Sequence, residues 1–286
     1  GGSAANTIYG LGKLGVSTGF VGVVGDDTDG QLLLQDLAKV GVDISQIKTR
    51  HNAKTGAVLC LSDRQGKRSL YVVPGANSLL TMADVDLTYL NQAKMLHVSS
   101  FAGDRQFQLT LGLVEKLDSA VKLSFAPGML YASKGLKALR LILARTHVLF
   151  INGREIEQLT GKDVISGAAV CLNEGCKIVA VTLGKGMELR LRDGKLVTAV
   201  CYIRDAESEH TVEPLEETKA VDTTGAGDAF AAGFLYGLVK DKDLEECGRL
   251  GNTVARFSIT QVGARAGLPT LADLSRRYRQ LYSATL

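Results

Sequence analysis

Proline is scarce, 4 of 286 residues, while glycine reaches 32. Many glycines with few prolines point to tight turns and close backbone approach to a ligand, not to flexible linkers. An excess of either charge is also lacking. Lys and Arg number 33 against 30 Asp and Glu, a formal net charge of +3 with no basic run, so nothing argues for nucleic acid as a partner. No apolar stretch approaches the roughly 20 residues of a membrane span, and no signal peptide pattern is present. The five cysteines (Cys60, Cys171, Cys176, Cys201, Cys247) are scattered, and no His stands at ligand spacing from the close pair Cys171 and Cys176. They read as reduced, mostly buried thiols rather than a zinc site, which implies a reducing, cytoplasmic setting. Hydrophobic residues at 45% and charged residues at 22% exclude disorder and collagen-like repetition.

What is present is a regular alternation. Residues 3–14 carry a helical pattern, 17–24 a strand, and 31–40 a stripe of Leu33, Leu34, Leu37 and Val40 closed by Gly41. Strand-like runs at 54–61 and 68–73 are joined by Asp63-Arg64-Gln65-Gly66, a hairpin signal. Strands at 95–99, 121–125, 147–151 and 178–183 then alternate with helices at 106–117, 136–143 and 155–159. This predicts an α/β fold, a doubly wound, mainly parallel sheet with helices on both faces. A second hairpin, 187–192 with 196–202, turns at Asp193-Gly194. The polar stretch 205–217 predicts a loop, and helices at 226–239, 244–259 and 271–282 close the chain. Without repeats or a low-complexity linker, residues 1–286 read as one domain with a small β flap around 54–74. The flap's edge strands invite pairing with a second copy, hence a homodimer. His51 and His210 read as surface residues, His97 and His147 as satisfied strand residues.

Gly10, Gly12 and Gly15 match G-x-G-x-x-G, but a helical pattern precedes them and a strand follows. A dinucleotide would then have no helix N-terminus for its pyrophosphate, so these glycines read as close packing of a helix on the sheet. No G-x-x-x-x-G-K-[ST] occurs. The strongest pattern is Ala220-Val221-Asp222-Thr223-Thr224-Gly225-Ala226-Gly227-Asp228-Ala229-Phe230. Gly225, Ala226 and Gly227 leave their N–H groups free to face a ligand at a helix N-terminus, an anion nest. Asp228 in the same turn could take the proton of an attacking hydroxyl, and the helix end should keep it ionised. The competing reading makes Thr223 or Thr224 an N-cap and Asp228 a first-turn acid, worth about 1 kcal/mol. The full pattern favours function.

That segment resembles the C-terminal signature of the ribokinase (PfkB) family of sugar and nucleoside kinases. Gly1-Gly2-Ser3-Ala4-Ala5-Asn6-Thr7 resembles the family's N-terminal double-glycine motif, and Gly25-Asp26-Asp27-Thr28-Asp29-Gly30, Thr55-Gly56-Ala57 and Pro74-Gly75-Ala76-Asn77 are family-like. The resemblance implies ATP-dependent transfer of a γ-phosphate to the primary hydroxyl of a small sugar, with Mg2+ as cofactor. Asp228 would be the base and Gly225, Ala226 and Gly227 the anion hole. Gly1, Gly2 and Asn6 would contact the acceptor. Asn152 and Glu155, in Asn152-Gly153-Arg154-Glu155, match the family's N-x-x-E around magnesium and phosphates, partly through water; alone they read as an N-cap and first-turn acid. Thr182, Gly184 and Gly186 would lie along ATP, although the two glycines also fit a plain turn, and Asn252 would lie beside the adenine. Asp222 and Thr224, with backbone around Gly263 and Gly267, match a monovalent-cation site, K+ being the candidate ion.

The resemblance also implies a strand ahead of the double-glycine motif, bearing an acid that grips the sugar. The sequence opens at the motif, so the sheet is expected to lack that strand. Ala126 stands where many members carry a polar residue before the proline. Asn77 looks ribokinase-like, whereas residues 231–238 and Gly263-Ala264-Arg265 look closer to bacterial adenosine kinases, so a nucleoside remains the alternative acceptor. Arg265 would be an added cation near the nucleotide, stabilising transition-state charge. Rivals of other classes are a sensor that binds nucleotide or sugar without turnover and a Rossmann-type oxidoreductase.

Overall fold

The computed structural model describes residues 2–62, 68–215 and 218–286. The chain opens with α1 (Ser3–Lys13), the short strands β1 (Thr18–Gly19) and β2 (Gly22–Gly25), α2 (Thr28–Lys39), β3 (Val42–Asp43) and β4 (Ile47–Arg50). A ribbon of β5 (Ala57–Ser62) and β6 (Arg68–Val73) follows, then α3 (Leu87–Leu90). Next come β7 (Met95–Ser99), α4 (Asp104–Lys116), β8 (Lys122–Ala126), α5 (Gly128–Ala132), α6 (Gly135–Arg145), β9 (Thr146–Asn152), α7 (Gly153–Thr160), α8 (Val164–Asn173) and β10 (Ile178–Arg190). The antiparallel β11 (Leu196–Arg204) and β12 (Glu209–Val212) lead to α9 (Ala226–Val239), α10 (Leu244–Ser258) and α11 (Leu271–Tyr282).

The main sheet runs β12-β11-β10-β9-β8-β7, with β7 to β10 parallel and β11 and β12 antiparallel. Strand β9 shows why helices cover both faces. Its side chains alternate, so Val148 and Phe150 join one core while Leu149 and Ile151 join the other. Phe150 meets the rings of Phe230 and Phe234 of α9, and with Val148 shares a core that includes Leu250 of α10 and Leu274 of α11. Leu149 and Ile151 meet Leu139 and Ile142 of α6 and Ile156 of α7. Each such side chain is worth about 1.5–3 kcal/mol when fully buried. Helix α9 is buried through most of its length, because close crossings suit its small residues: a Cβ on Gly233 would come within 2.6 Å of the Leu250 carbonyl in α10.

The pairs β1–β3 and β2–β4 stand apart from β7. Between them lies a cavity of about 800 Å³ lined by Val21, Val23, Leu37, Leu96, His97 and Val98, among others. Among the described residues no helix is long and apolar enough to cross a membrane.

Several expectations need correction. The strand expected at 17–24 is broken into β1 and β2, which pair with different partners. The strands expected at 178–183 and 187–192 are one strand, β10, whose pairing with β11 shifts register between Thr182 and Met187. Gly184 (φ 63°) and Gly186 (φ 120°) carry that irregularity, so they lie within a strand and not in a turn between two. The expected loop 205–217 contains β12; Glu216 and Glu217 lie outside the described residues, as does the hairpin turn Asp63-Arg64-Gln65-Gly66. Helix α8 was not expected. Gly10 packs on a helix, not the sheet: its Cβ would come within 2.8 Å of Ala232 Cβ in α9. His97 is half-satisfied, with Nδ1 2.8 Å from Ser124 Oγ and a buried Nε2 that has no partner. Four of the five free cysteines are buried, and Cys60 on the ribbon is exposed.

Candidate active site

The C-terminal ends of parallel strands are where a sheet opens towards a ligand, and there β9 ends while β10 runs on beyond it. Asn152 is the last residue of β9 and registers with Thr182 of β10. Asn152 also caps α7, its Oδ1 accepting from the N–H groups of Arg154 and Glu155 at 3.0 Å each, while Glu155 Oε2 accepts from Asn152 N at 3.0 Å. The pair is therefore a full capping box, with Glu155 Oε1 left over. Burial pushes the Glu155 carboxyl above its usual range. The Asn152 hydrogen bonds oppose this shift, and the charge of Asp228 adds to it.

Helix α9 begins at Gly225, whose φ of 76° is left-handed, and no side chain caps it. That removes the reading of Thr223 or Thr224 as N-cap. The close approach of the 263–267 loop enforces glycine here, since a Cβ on Gly225 would lie 2.5 Å from Ala264 Cβ. Gly227 faces open space. Ala226 N donates to the Thr223 carbonyl at 3.3 Å, so the expected trio of free donors is reduced by one.

Asp228 stands in the first turn of α9, and both its oxygens are held from α1. Ser3 Oγ donates to Oδ1 at 2.7 Å and Asn6 Nδ2 donates to Oδ2 at 2.8 Å. Thr7 Oγ1 donates to the Asp228 carbonyl at 3.3 Å. Burial raises the Asp228 carboxyl above its ordinary value. The Asn6 and Ser3 hydrogen bonds and the positive charge of Arg265 only partly oppose this. The helix end is expected to keep Asp228 ionised; desolvation, the largest effect on it, acts in the opposite direction.

Beside this turn, Asp222 Oδ1 accepts from Thr224 N at 2.8 Å and Oδ2 from Gly263 N at 2.9 Å. Gly267 is packed so that a Cβ would lie 2.8 Å from the Ser258 carbonyl. Asp222, Thr224 and Gly263 are thus brought together. Asn252 in α10 buries an Nδ2 that makes no hydrogen bond and touches none of the other predicted residues through one. Gly2 precedes α1 as its N-cap residue, with φ 103°; Gly1 lies outside the described residues. Among the described residues, no group of three or more His, Cys, Asp or Glu is placed to hold a metal. A single half-buried carboxylate, Glu155, repelled by Asp228, suits an ion such as Mg2+ that keeps most of its waters.

The base of the ribbon is tied by Asp27. Its carboxylate caps α2 through Gly30 N at 2.9 Å and accepts from Thr55 N at 2.8 Å and Thr55 Oγ1 at 2.6 Å. These bonds draw its pKa down to about 2. Gly56 and Asn77 pack against each other there, which explains why the quoted motifs flank the ribbon. Beyond that base, Leu59 and Tyr71 are cross-strand partners, exposed at 58% and 57%. Val58, Leu70 and Val72 are exposed as well.

The sequence missed the partners of Asp228. Ser3 lies within the quoted double-glycine motif, but nothing in the pattern said that its hydroxyl would meet a carboxylate 225 residues away. Arg265, expected near the nucleotide, instead reaches Asn6.

The description "pfkB family carbohydrate kinase" matches residues 1–271. A sugar kinase of Archaeoglobus fulgidus, itself described as uncharacterized, is 40% identical over 267 residues, covering 92% of this chain and 100% of the relative. A nucleoside kinase of Methanocaldococcus jannaschii is 28% identical, covering 94% of this chain and 82% of its own. Among solved structures, the ribokinase of Thermotoga maritima superposes with a TM-score of 0.79 at 25% identity, over 98% of this chain and 87% of that one.

Proposed function

This chain belongs to the pfkB family of carbohydrate kinases, phosphotransferases acting on sugar or nucleoside hydroxyls, and from that premise we propose that it phosphorylates the primary hydroxyl of a small sugar of the ribose or fructose type, with ATP as donor. The family assignment removes the sensor without turnover and the oxidoreductase. The observation that carries the reading is Asp228, a carboxylate held from two sides at the uncapped N-terminus of α9.

ATP, when bound, supplies the γ-phosphoryl group, and Mg2+ offsets its charge. The residues do the rest. Gly225, Ala226 and Gly227 present the positive end of α9 to the phosphoryl oxygens, with Gly227 N–H the least encumbered donor. Asp228 accepts the proton of the acceptor hydroxyl as its oxygen bonds to phosphorus and the bond to the departing ADP oxygen breaks. No covalent enzyme intermediate is needed, because the acceptor oxygen attacks phosphorus directly. Glu155 would hold Mg2+ through its waters. Asn152, Thr182, Gly184, Gly186 and Asn252 line the ATP side; Gly2 and Asn6 line the acceptor side. Asp222, Thr224 and the backbone at Gly263 and Gly267 take K+, which would order the turn preceding α9.

We assign residues 1–286 to one kinase domain, with 54–74 as a lid that excludes water from the transfer. The two exposed apolar faces of the lid favour a homodimer formed through it. The buried free thiols favour the cytoplasm. A nucleoside acceptor is the second reading, favoured by the 28% identity to a nucleoside kinase. Steady-state assays with ribose, fructose, adenosine and cytidine test the proposal. Turnover of a sugar is expected, and turnover confined to nucleosides overturns the sugar assignment.

A further inference from the structure

Arg265 is held where α1, α2 and α9 meet, its side chain 13% exposed. Nη1 pairs with Asp36 Oδ2 of α2 at 2.5 Å, Nε donates to Asn6 Oδ1 at 3.0 Å, and the Tyr9 ring centre lies 4.9 Å from Cζ. Nη2 is buried and unpartnered. Asn6, itself buried, stands between this guanidinium and the Asp228 carboxylate.

A primary amide can turn either way, and the two ends differ in what they offer: oxygen accepts, nitrogen donates. Arginine has donors only, and an ionised carboxylate has acceptors only. With Arg265 Nε on one side of Asn6 and Asp228 Oδ2 on the other, only one orientation makes both bonds. The flipped amide would set donor against donor and oxygen against oxygen. Asp36 and Tyr9 keep the guanidinium from turning away.

We propose that Arg265 is a positioning residue for Asp228: by fixing the Asn6 amide, it compels Asn6 to donate to the carboxylate and so holds that carboxylate in one orientation towards the acceptor. The inference rests on Asp228 being the base of the proposed reaction. It replaces the expectation that Arg265 acts on the nucleotide, since its bonds run to the acceptor side. The charged groups around Asp228 act in opposite directions. Arg265 from the 263–267 loop favours the ionised acid, whereas Glu155 of α7 is repelled by the Asp228 charge. Asp36 from α2 is neutralised by its pair with Arg265, and Ser3 and Asn6 from α1 are uncharged.

The test uses the full chain as wild type, Arg265→Ala, Arg265→Lys and Asp228→Asn, with ribose and adenosine as probe acceptors. Asp228 is titrated by 13C-carboxyl NMR, its signal assigned by its loss in Asp228→Asn. Arg265→Ala should lower kcat roughly 10–100-fold, in line with other groups that orient a reacting ligand, while the KM for ATP stays within threefold. Its Asp228 carboxyl, and the acid limb of kcat, should move to higher pH. Added guanidinium ion should restore part of kcat, which lost packing alone would not allow. If Arg265→Ala melts too early to assay, Arg265→Lys is judged by the same readouts. Lysine keeps a charge but not the fixed fork, so its kcat should remain low. An unmoved Asp228 titration with kcat within threefold of wild type overturns the proposal, as does a loss of kcat with neither a titration shift nor guanidinium rescue. If Asp228→Asn itself retains turnover, the base assignment fails instead.

Discussion

Asn6 and Asp228, 222 positions apart in the chain, meet through a 2.8 Å hydrogen bond. The bond ties the first helix to the turn that opens α9, so the carboxylate is oriented before any substrate arrives. Preorganisation of this kind is what general-base catalysis requires.

Replacing Asp228 by Asn should lower kcat by about 10²–10⁴-fold, the usual contribution of a general base, with ATP affinity by calorimetry kept within threefold. The substitution should also stabilise the fold at alkaline pH. Burial raises the Asp228 carboxyl in the folded state, so folding favours the protonated acid and stability is lost as pH rises through the folded pKa. Asn carries no charge and avoids that loss. A thermal midpoint at pH 8 below that of wild type would contradict this.

Gly225→Ala places a methyl group 2.5 Å from Ala264 Cβ at a φ of 76°. The turn must shift, moving the donors of the nest. The expected loss in kcat is on the order of 10²–10³-fold, comparable to removing an oxyanion donor. Turnover within threefold of wild type would show that the nest is not needed.

Glu155→Gln can still accept from Asn152 N, so α7 keeps its cap and the melting temperature should not fall; above the Glu155 pKa it should rise, as for Asp228→Asn. What is lost is the charge offered to magnesium. The Mg2+ concentration for half-maximal rate should rise by roughly tenfold or more. An unchanged magnesium titration would limit Glu155 to capping.

On the ribbon, Leu59→Glu together with Tyr71→Lys puts charge on one apolar face. Light scattering behind a sizing column should show a dimer for wild type and a monomer for the pair. A wild type that is monomeric at all concentrations would remove the lid interface.

His97 predicts a pH signature. Burial presses its pKa to about 4 from 6.5. As pH falls below 6.5 the unfolded chain takes up the proton first, so stability declines down to about pH 4 and levels off below it. The full effect is about 3 kcal/mol. In His97→Asn, the slope of melting temperature against pH over that window should flatten.

Much of the fold could be read where burial imposes a period. The alternation in β9 and the long apolar run of α9 match their observed bounds closely. Reading failed where polar groups are satisfied by neighbours remote in sequence. In β12, Glu209 accepts from Tyr202 Oη at 2.8 Å and from Arg192 N at 2.9 Å, so a segment that looks like loop is a strand. Helix α8 is only 10 residues, mainly small side chains, too short a run to stand out as the 14-residue α9 does. At the site, the composition of the 225–228 turn was legible because it is contiguous, but its geometry was not. The donors to Asp228 come from α1, and Arg265 reached Asn6 rather than the phosphate side; neither follows from local spacing.

The wide separation of Ser3 and Asn6 from Asp228 and Arg265 also bears on how the protein is made. A ribosome must release the chain through Arg265 before these four side chains can gather. Until then the emerging chain holds α1 with no carboxylate to grip, so competence for phosphoryl transfer should arise no earlier than that point.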